Sequence, residues 1–129
     1  SIFFHKIIND ETLVVHGNGS QTRSFTWIDD VTDGFVRAGL MDKGTDGSNL
    51  SGMAFNIGST EEVTISQLAK EVVTTSGKNN SVIEFGTGYF GDSKRRLPDI
   101  ESSKQALGWQ PTVDLQQGLQ KMWKELTEN

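Results

Sequence analysis

The chain has 129 residues, a formal net charge of -5 and no cysteine. Its length fits one domain or a large part of one, and the lack of cysteine excludes disulfides and thiolate metal sites. The acidic balance excludes the broad basic surface that sequence-independent binding to nucleic acid or anionic lipid requires. No signal peptide and no apolar run of about 18 residues is recognisable, so we expect no membrane span and a cytoplasmic location.

The N-terminal stretch SIFFHKIINDE is apolar and helix-like but has no capping residue before it. We expect it to be a helix cut partway, in a chain that is a fragment of a longer protein. Two strand-like segments follow, TLVVHG and SFTWI, which are rich in β-branched and aromatic residues and bounded by turn formers.

A helix is predicted over DDVTDGFVRAGLM, where Val31, Phe35 and Ala38 share one face. Gly34 and Gly39 lie inside it, and each costs up to about 1 kcal/mol relative to alanine. Close packing against a neighbouring element would explain both glycines. The polar segment KGTDGSNLSG after this helix predicts a loop.

The clearest helix is VTISQLAKEVVTTSG, which has a capping-box spacing at Thr64 and Gln67 and ends at Gly77. The strand-like segments MAFNIG and SVIEFG flank it. This order predicts a strand-helix-strand unit with two parallel strands and a right-handed crossover, if both strands share a sheet.

Two more helices are predicted towards the C-terminus. A short one runs from about Glu101 to Leu107 and ends at Gly108, and a longer one follows Asp114, with apolar residues at helical spacing. With 14 glycines and 34% hydrophobic residues, the whole pattern indicates a loop-rich α/β fold.

The string GTGYFG, Gly86 to Gly91, matches the G-x-G-x-x-G pattern of dinucleotide sites. Such a site needs a helix directly after the glycines, whereas the following DSKRRLPD contains Pro98 and has no apolar period. A plain mobile loop is therefore favoured. Tyr89 is the only tyrosine and Ser93 lies four residues after it, so the chain encodes no Tyr-x-x-x-Lys proton-transfer pair and we assign no catalytic residue.

The histidines, His5 and His16, lack the spacing of metal ligands, so no metal site is predicted. Arginine offers a planar fork of donors that can grip two phosphate oxygens. Arg23 follows a glycine turn, and Arg96 precedes a proline-stiffened turn that ends at Asp99. Two such forks could clamp a diphosphate and the carboxylate could accept ribose hydroxyls, although a run such as KRR is more often a solvated charge cluster.

Four segments occur in a familiar order: LVVHGNGSQTRSFTWIDDV, AFNIGSTEEVTISQLAKEV, KRRLPDIESSKQALGWQP and LQQGLQKMW. From residue 1 to about 127, they resemble the C-terminal portion of extended short-chain dehydrogenases that act on nucleotide sugars. That family includes UDP-glucose 4-epimerases, UDP-glucuronate decarboxylases and dTDP-glucose 4,6-dehydratases. The resemblance implies the small α/β substrate domain, with a strand-helix-strand unit and a C-terminal helix, and with the Rossmann half absent.

The resemblance also implies roles for individual residues. Arg23 and Arg96 match arginines that face the substrate's diphosphate, and Asp99 lies near the ribose. The backbone of Val14 and His16 matches the stretch that contacts the nucleobase. Relatives usually carry Tyr or Phe at the place of His16, so the resemblance carries over the backbone contact and leaves the aromatic contact open.

For the whole chain, the resemblance implies one partial domain over residues 1–129, in which residues 24–58 pack against a missing Rossmann domain. The function implied is binding of a UDP- or dTDP-sugar for an NAD-dependent epimerase, decarboxylase or dehydratase. NAD would belong to the intact parent enzyme, and none is expected on this chain alone. The alternative is a non-catalytic orphan that self-associates as a homo-oligomer through the apolar patch that includes Val31 and Phe35.

Overall fold

The computed structural model describes residues 1–128, so Asn129, the last residue of the predicted domain, lies outside the described residues. The described chain divides into two compact units. The first contains residues 1–23, 63–96 and 116 onwards, and the second contains residues 24–62 and 97–115. In chain order the elements are α1 (Ile2–Ile8), β1 (Leu13–His16), β2 (Thr22–Ser24), α2 (Ile28–Leu40), β3 (Glu62–Thr64), α3 (Ile65–Ser76), β4 (Ile83–Gly86), α4 (Glu101–Leu107) and α5 (Leu115–Thr127).

The first unit is built on a parallel pair of strands, β1 and β4, in which Leu13 lies opposite Ile83 and His16 opposite Gly86. Helices α1 and α3 contact β1 and each other. The ring of Phe4 in α1 packs against Trp123 in α5, with 5.3 Å between the ring centroids. Apolar side chains on these elements form the buried core: Phe4, Ile7, Leu13, Val15, Val63, Ala69, Val72 and Leu119.

Helix α3 begins and ends where the sequence predicts. Thr64 Oγ1 accepts a hydrogen bond from Gln67 N (3.0 Å), and Gln67 Oε1 accepts one from Thr64 N (3.1 Å), which is the reciprocal capping box. Gly77 ends the helix with a φ of 70°, in the left-handed region that favours glycine. The predicted helices at the N-terminus, over residues 101–107 and at the C-terminus are also confirmed.

The strand predictions are confirmed at TLVVHG and SVIEFG and are wrong elsewhere. Residues 53–58 form no strand, and the backbone carbonyl of Asn56 in this segment is bonded by a serine hydroxyl and not by a neighbouring strand. Ser103 Oγ donates to Asn56 O (2.6 Å), and Asn56 Nδ2 donates to Asp99 O (2.8 Å). The partner of β4 is therefore β1, so the parallel pair flanks α3 with a different first strand from the one predicted.

Only the first residue of SFTWI lies in a strand, since β2 is Thr22–Ser24 and α2 begins at Ile28. The short strand β3, which pairs with β2, was not predicted. Its three residues are too few for an alternating pattern to be recognised in the sequence.

The second unit has its own apolar core, formed by Leu50, Ile100, Ala106, Leu107 and Trp109. Asp30, in the first turn of α2, is buried beside this core although it carries a carboxylate. Its two carboxylate oxygens accept hydrogen bonds from Thr112 N (3.0 Å), Thr112 Oγ1 (2.7 Å) and Val113 N (3.0 Å). Its backbone oxygen accepts from the indole Nε1 of Trp109 (2.8 Å).

The two glycines of α2 have different explanations. A Cβ on Gly34 would lie 2.8 Å from carbon atoms of Ile57, so close packing accounts for that glycine. A Cβ on Gly39 would meet nothing within 4 Å, so the packing explanation is wrong at that position. Neither α2 nor α5, each 13 residues long, nor any shorter helix among residues 1–128 has the length and apolar character to cross a membrane.

We predict that Asp30→Ala lowers the free energy of unfolding by about 2 to 4 kcal/mol, because two backbone amides and a hydroxyl lose a charged acceptor away from water. Urea denaturation followed by circular dichroism measures the change. Asp29→Ala is the matched control, since this exposed neighbouring carboxylate accepts, among the side chains of residues 1–128, only from Trp27 Nε1 and should matter by less than about 1 kcal/mol. Equal midpoints for the two variants would contradict the role given to Asp30.

Candidate functional site

Four of the five predicted site residues lie in the first unit, and one lies in the second. Val14 and His16 belong to β1, Arg23 belongs to β2, and Arg96 ends the loop after β4. Asp99 belongs to the second unit. We refer to residues 87–96 as the 87–96 loop.

The Arg23 guanidinium is fixed by three hydrogen bonds. Nη1 donates to Thr22 O (2.7 Å) and to Ser93 O (2.8 Å), and Nη2 donates to Asp92 Oδ1 (2.6 Å). The last of these is also an ion pair, in which the Arg23 side chain is 20% exposed and the Asp92 side chain 34% exposed. Arg23 therefore fastens the 87–96 loop to β2, and part of its surface stays open to solvent.

Backbone contacts place the end of the same loop beside β2. Thr22 N donates to Lys94 O (2.9 Å), and Thr22 forms a parallel bridge with Arg95. Arg23 and Arg96 each follow a member of this bridged pair. Because one chain step spans about 3.8 Å and paired strands lie about 4.8 Å apart, their Cα atoms are no more than about 12 Å apart.

The Arg96 side chain is exposed and makes no hydrogen bond or ion pair with any residue that the structure describes. Lys94 is exposed as well. The 87–96 loop therefore offers cationic groups to solvent on the segment that lies next to Arg23.

The turn between β1 and β2 depends on a buried glycine. Gly19 has a φ of +69°, and a Cβ there would lie 2.9 Å from both Ser66 Cβ and Val15 Cγ1. The first amides of α3 hold the turn, since Ile65 N donates to Gln21 O (3.0 Å) and Ser66 N donates to Gly19 O (3.0 Å). The backbone that leads into Arg23 is therefore held in position by hydrogen bonds from the N-terminus of α3.

The backbone of β1 has one open edge. Leu13 N donates to Val82 O (2.9 Å) and Gly17 N donates to Gly86 O (3.0 Å), so the odd-numbered residues bond to β4. Alternate residues of a strand direct their amide groups to opposite edges. Val14 and His16 therefore direct their N–H and C=O groups to the other edge, with which no strand pairs in the described part of the chain.

His16 and Tyr89 form an aromatic pair at the end of β1. Their ring centroids are 4.5 Å apart at an interplanar angle of 47°. His16 Nε2 lies 3.3 Å from the Tyr89 hydroxyl, and His16 Nδ1 lies 3.3 Å from Thr87 O. Tyr89 is 67% exposed, so the pair presents aromatic surface to solvent.

Sequence reasoning missed Tyr89 and Asp92 as partners of the site residues. Each contact joins positions about 70 residues apart, and no local pattern marks such a pair. The only available signal was that Tyr89 and Asp92 lie in the loop that also carries Arg96.

Asp99 has a local structural contact in the second unit. Its Oδ1 accepts a hydrogen bond from the N–H of Glu101, the first residue of α4 (2.9 Å). A carboxylate at this position satisfies an amide that has no partner within the helix.

The glycine pattern Gly86 to Gly91 does not open a helix, since α4 begins only at Glu101. The residues present therefore do not fit a pyrophosphate of NAD bound at a glycine turn and helix N-terminus. Among residues 1–128, no group of three or more His, Asp or Glu side chains is arranged to hold a metal ion.

Comparison with known proteins identifies the family. The family model described as GDP-mannose 4,6 dehydratase matches residues 3–122. The chain belongs to this family. The resemblance to extended short-chain dehydrogenases of the NAD-dependent epimerase and dehydratase group is thereby confirmed.

Members of the group with known activity or structure match nearly the whole chain. UDP-glucuronic acid decarboxylase 2 of Arabidopsis thaliana is 38% identical over 128 residues, which are 99% of this chain and 27% of the relative. The crystal structure of UDP-glucose 4-epimerase from Thermotoga maritima with UDP-glucose superposes with a TM-score of 0.86 at 27% identity. That of UDP-glucuronic acid 4-epimerase from Bacillus cereus, with UDP-glucuronic acid and NAD, superposes equally well (TM-score 0.86) at 29% identity.

Each superposition covers 98% of this chain but only 38% of the solved structure. The superpositions confirm the fold class, an α/β arrangement like part of an extended short-chain dehydrogenase. The B. cereus structure contains NAD, which confirms that such relatives use this cofactor.

We predict that Arg23→Ala makes the 87–96 loop more susceptible to trypsin. The variant loses all three hydrogen bonds of the guanidinium, and the loop carries trypsin sites at Lys94, Arg95 and Arg96. Cleavage is timed by mass spectrometry at low protease concentration. Arg37→Ala is the control, because Arg37 also donates to two backbone carbonyls but in the second unit. Unchanged cleavage in the Arg23 variant would show that these bonds do not hold the loop.

Proposed function

We propose that this chain is the nucleotide-sugar-binding part of an NAD-dependent enzyme that epimerises, decarboxylates or dehydrates a UDP- or dTDP-sugar. Its own share is to hold the nucleoside diphosphate, with Arg23 and Arg96 on the diphosphate and β1 on the base. Asp99 is assigned to the ribose, as the family resemblance implies. A cytoplasmic location is part of the same proposal.

The observation that carries the proposal is the arginine pair beside the 87–96 loop. Arg23 is fixed in the middle of the short strand β2, and Arg96 projects from the neighbouring segment without an internal partner in the described chain. If residues 94–96 were only a solvated charge cluster, there would be no reason for Arg23, which is distant in the sequence, to be fixed beside them with its side chain only 20% exposed. A planar guanidinium held in this way is suited to the oxygens of a diphosphate.

The open edge of β1 suits a nucleobase that has both donors and acceptors. The imide edge of uracil or thymine has one N–H between two carbonyl groups, and these can pair with backbone C=O and N–H groups. Val14 and His16 direct such groups to the unpaired edge, while Gln21 Nε2 donates to His16 O (2.9 Å) and links this edge to the segment that leads to Arg23. The exposed ring of Tyr89 is available for stacking.

The relatives support the choice of ligand. Both of the solved structures described above contain a UDP-sugar, and the relative from Arabidopsis thaliana is named for UDP-glucuronic acid. Contacts remote from the reacting sugar hold it in a reactive pose, which is the contribution that binding energy makes to catalysis. NAD, when bound in the longer enzyme, supplies the transient oxidation of a sugar hydroxyl, and residues outside this chain would hold it.

The second unit supports a docking role for residues 24–58. Helix α2 buries Asp30 and Gly34 on one side, but its other side exposes apolar side chains. At about 100° per residue, these exposed side chains fall within roughly two fifths of the helix circumference: Ile28, Phe35, Val36 and Leu40. We propose that this surface, the outer face of α2, packs against the Rossmann domain of the longer enzyme.

We predict that UDP at about 100 times its Kd stabilises the chain by about 2.7 kcal/mol, seen as a rise in the melting temperature. Arg23→Ala and Arg96→Ala should each abolish most of this rise, because each removes a guanidinium from the diphosphate. Arg37→Ala is the matched control and should keep the full rise. A flat thermal response to millimolar UDP and dTDP would remove the basis for the proposed function.

We predict that the isolated chain binds the dye ANS through the outer face of α2 and that Phe35→Glu with Leu40→Glu lowers the fluorescence several-fold, since both side chains are largely exposed. Phe90→Glu is the control, because Phe90 is fully exposed in the first unit. Light scattering separates the two proposed uses of this face. A dimer that the double variant dissociates would favour the self-associating module, and a monomer with strong dye binding would favour docking to a further domain.

A further inference from the structure

The Arg23 guanidinium is only partly used by the bonds that hold it. Arginine has five N–H groups, and three of them donate to Thr22 O, Ser93 O and Asp92 Oδ1. Both hydrogens of Nη1 are engaged. The remaining donors are the Nε–H and one hydrogen of Nη2, which bond to no residue among residues 1–128.

The direction of the free donors follows from the bonds that are made. Asp92 and Ser93 are successive residues, and they accept from Nη2 and Nη1 respectively. The edge of the guanidinium that joins Nη1 and Nη2 therefore faces Asp92 and Ser93. The Nε–H and the outer hydrogen of Nη2 lie along another edge and form the two-donor fork that fits two oxygens of one phosphate.

We propose that Asp92 is a positioning residue for the diphosphate, an inference that rests on the proposed function. Its carboxylate holds Nη2 so that the fork of Arg23 is fixed before the ligand arrives. A long side chain that is already ordered loses less conformational entropy on binding than a mobile one. Asp92 itself does not touch the ligand.

A second possibility is that the Asp92 carboxylate occupies the anion site and competes with the diphosphate. The geometry argues against it. The same guanidinium is held by two backbone carbonyls that a phosphate cannot replace, and the carboxylate leaves the two-donor fork unused. The cationic segment that follows, Lys94 to Arg96, also outweighs the one negative charge of Asp92.

The test compares Asp92→Ala, Asp92→Asn and Asp33→Ala by calorimetric titration of the whole chain with UDP. The alanine variant should bind UDP about tenfold more weakly, because a charge-assisted hydrogen bond that orients Arg23 is lost. The asparagine variant keeps an acceptor oxygen and should stay within about threefold of the original chain. Asp33→Ala breaks the Arg37–Asp33 pair of α2 and should leave the affinity unchanged.

Three outcomes would overturn the proposal. Equal or tighter binding by Asp92→Ala would show that the carboxylate competes with UDP, or that it has no role. Equal weakening by alanine and asparagine would show that the charge matters and the acceptor does not. The third outcome is measured without nucleotide. Asp92→Ala should then lower the ¹⁵N heteronuclear NOE of the Arg23 Nε–H group, because the side chain becomes more mobile. An unchanged NOE would mean that Asp92 does not fix Arg23.

The NMR measurement also separates this inference from the proposed function. If the original chain binds no UDP, the proposed function fails, and the NOE still decides whether Asp92 orders Arg23. If UDP binds and Arg23→Ala abolishes binding while Asp92→Ala has no effect, the proposed function stands and the role of Asp92 is wrong.

Discussion

The arrangement of the candidate site depends on the hydrogen bonds of one arginine. Arg23 joins β2 to the 87–96 loop through Ser93 O and the Asp92 carboxylate. The parallel bridge between Thr22 and Arg95 extends this attachment towards Arg96. Because a loop with three cationic residues would otherwise repel itself and sample many conformations, the fixed guanidinium determines where the remaining positive charge is presented.

Helix α2 shows how a short chain can carry two apolar surfaces. One side packs into the core of the second unit, where Gly34 lets Ile57 approach and Asp30 bonds to Thr112 and Val113. The other side exposes Phe35 and Leu40, which soluble proteins seldom leave uncovered together. The chain spans only 27–38% of the relatives with which it was compared, and the proposed docking of a further domain would cover that side.

The helices could be predicted because their signals are local. The capping box at Thr64 and the left-handed glycine at Gly77 mark the bounds of α3 within one turn at each end. The strands were harder, because a strand exists only where another segment supplies hydrogen bonds. MAFNIG has the composition of a strand, but the Ser103 hydroxyl bonds the carbonyl of its Asn56, and the Asn56 side chain donates to Asp99 O. The partner of β4 comes from 70 residues earlier in the chain.

The sequence by itself determined the family and the helices and singled out Arg23 and Arg96 as candidates, since these follow from local spacing and from motifs in a fixed order. Only the tertiary structure decided that Asp92 and Ser93 hold Arg23, that Tyr89 packs against His16, and that Asp99 bonds to the first amide of α4. The physical reason is that a hydrogen bond or ring contact depends on distance in space, and loop closure can bring together residues whose separation in the sequence carries no signal.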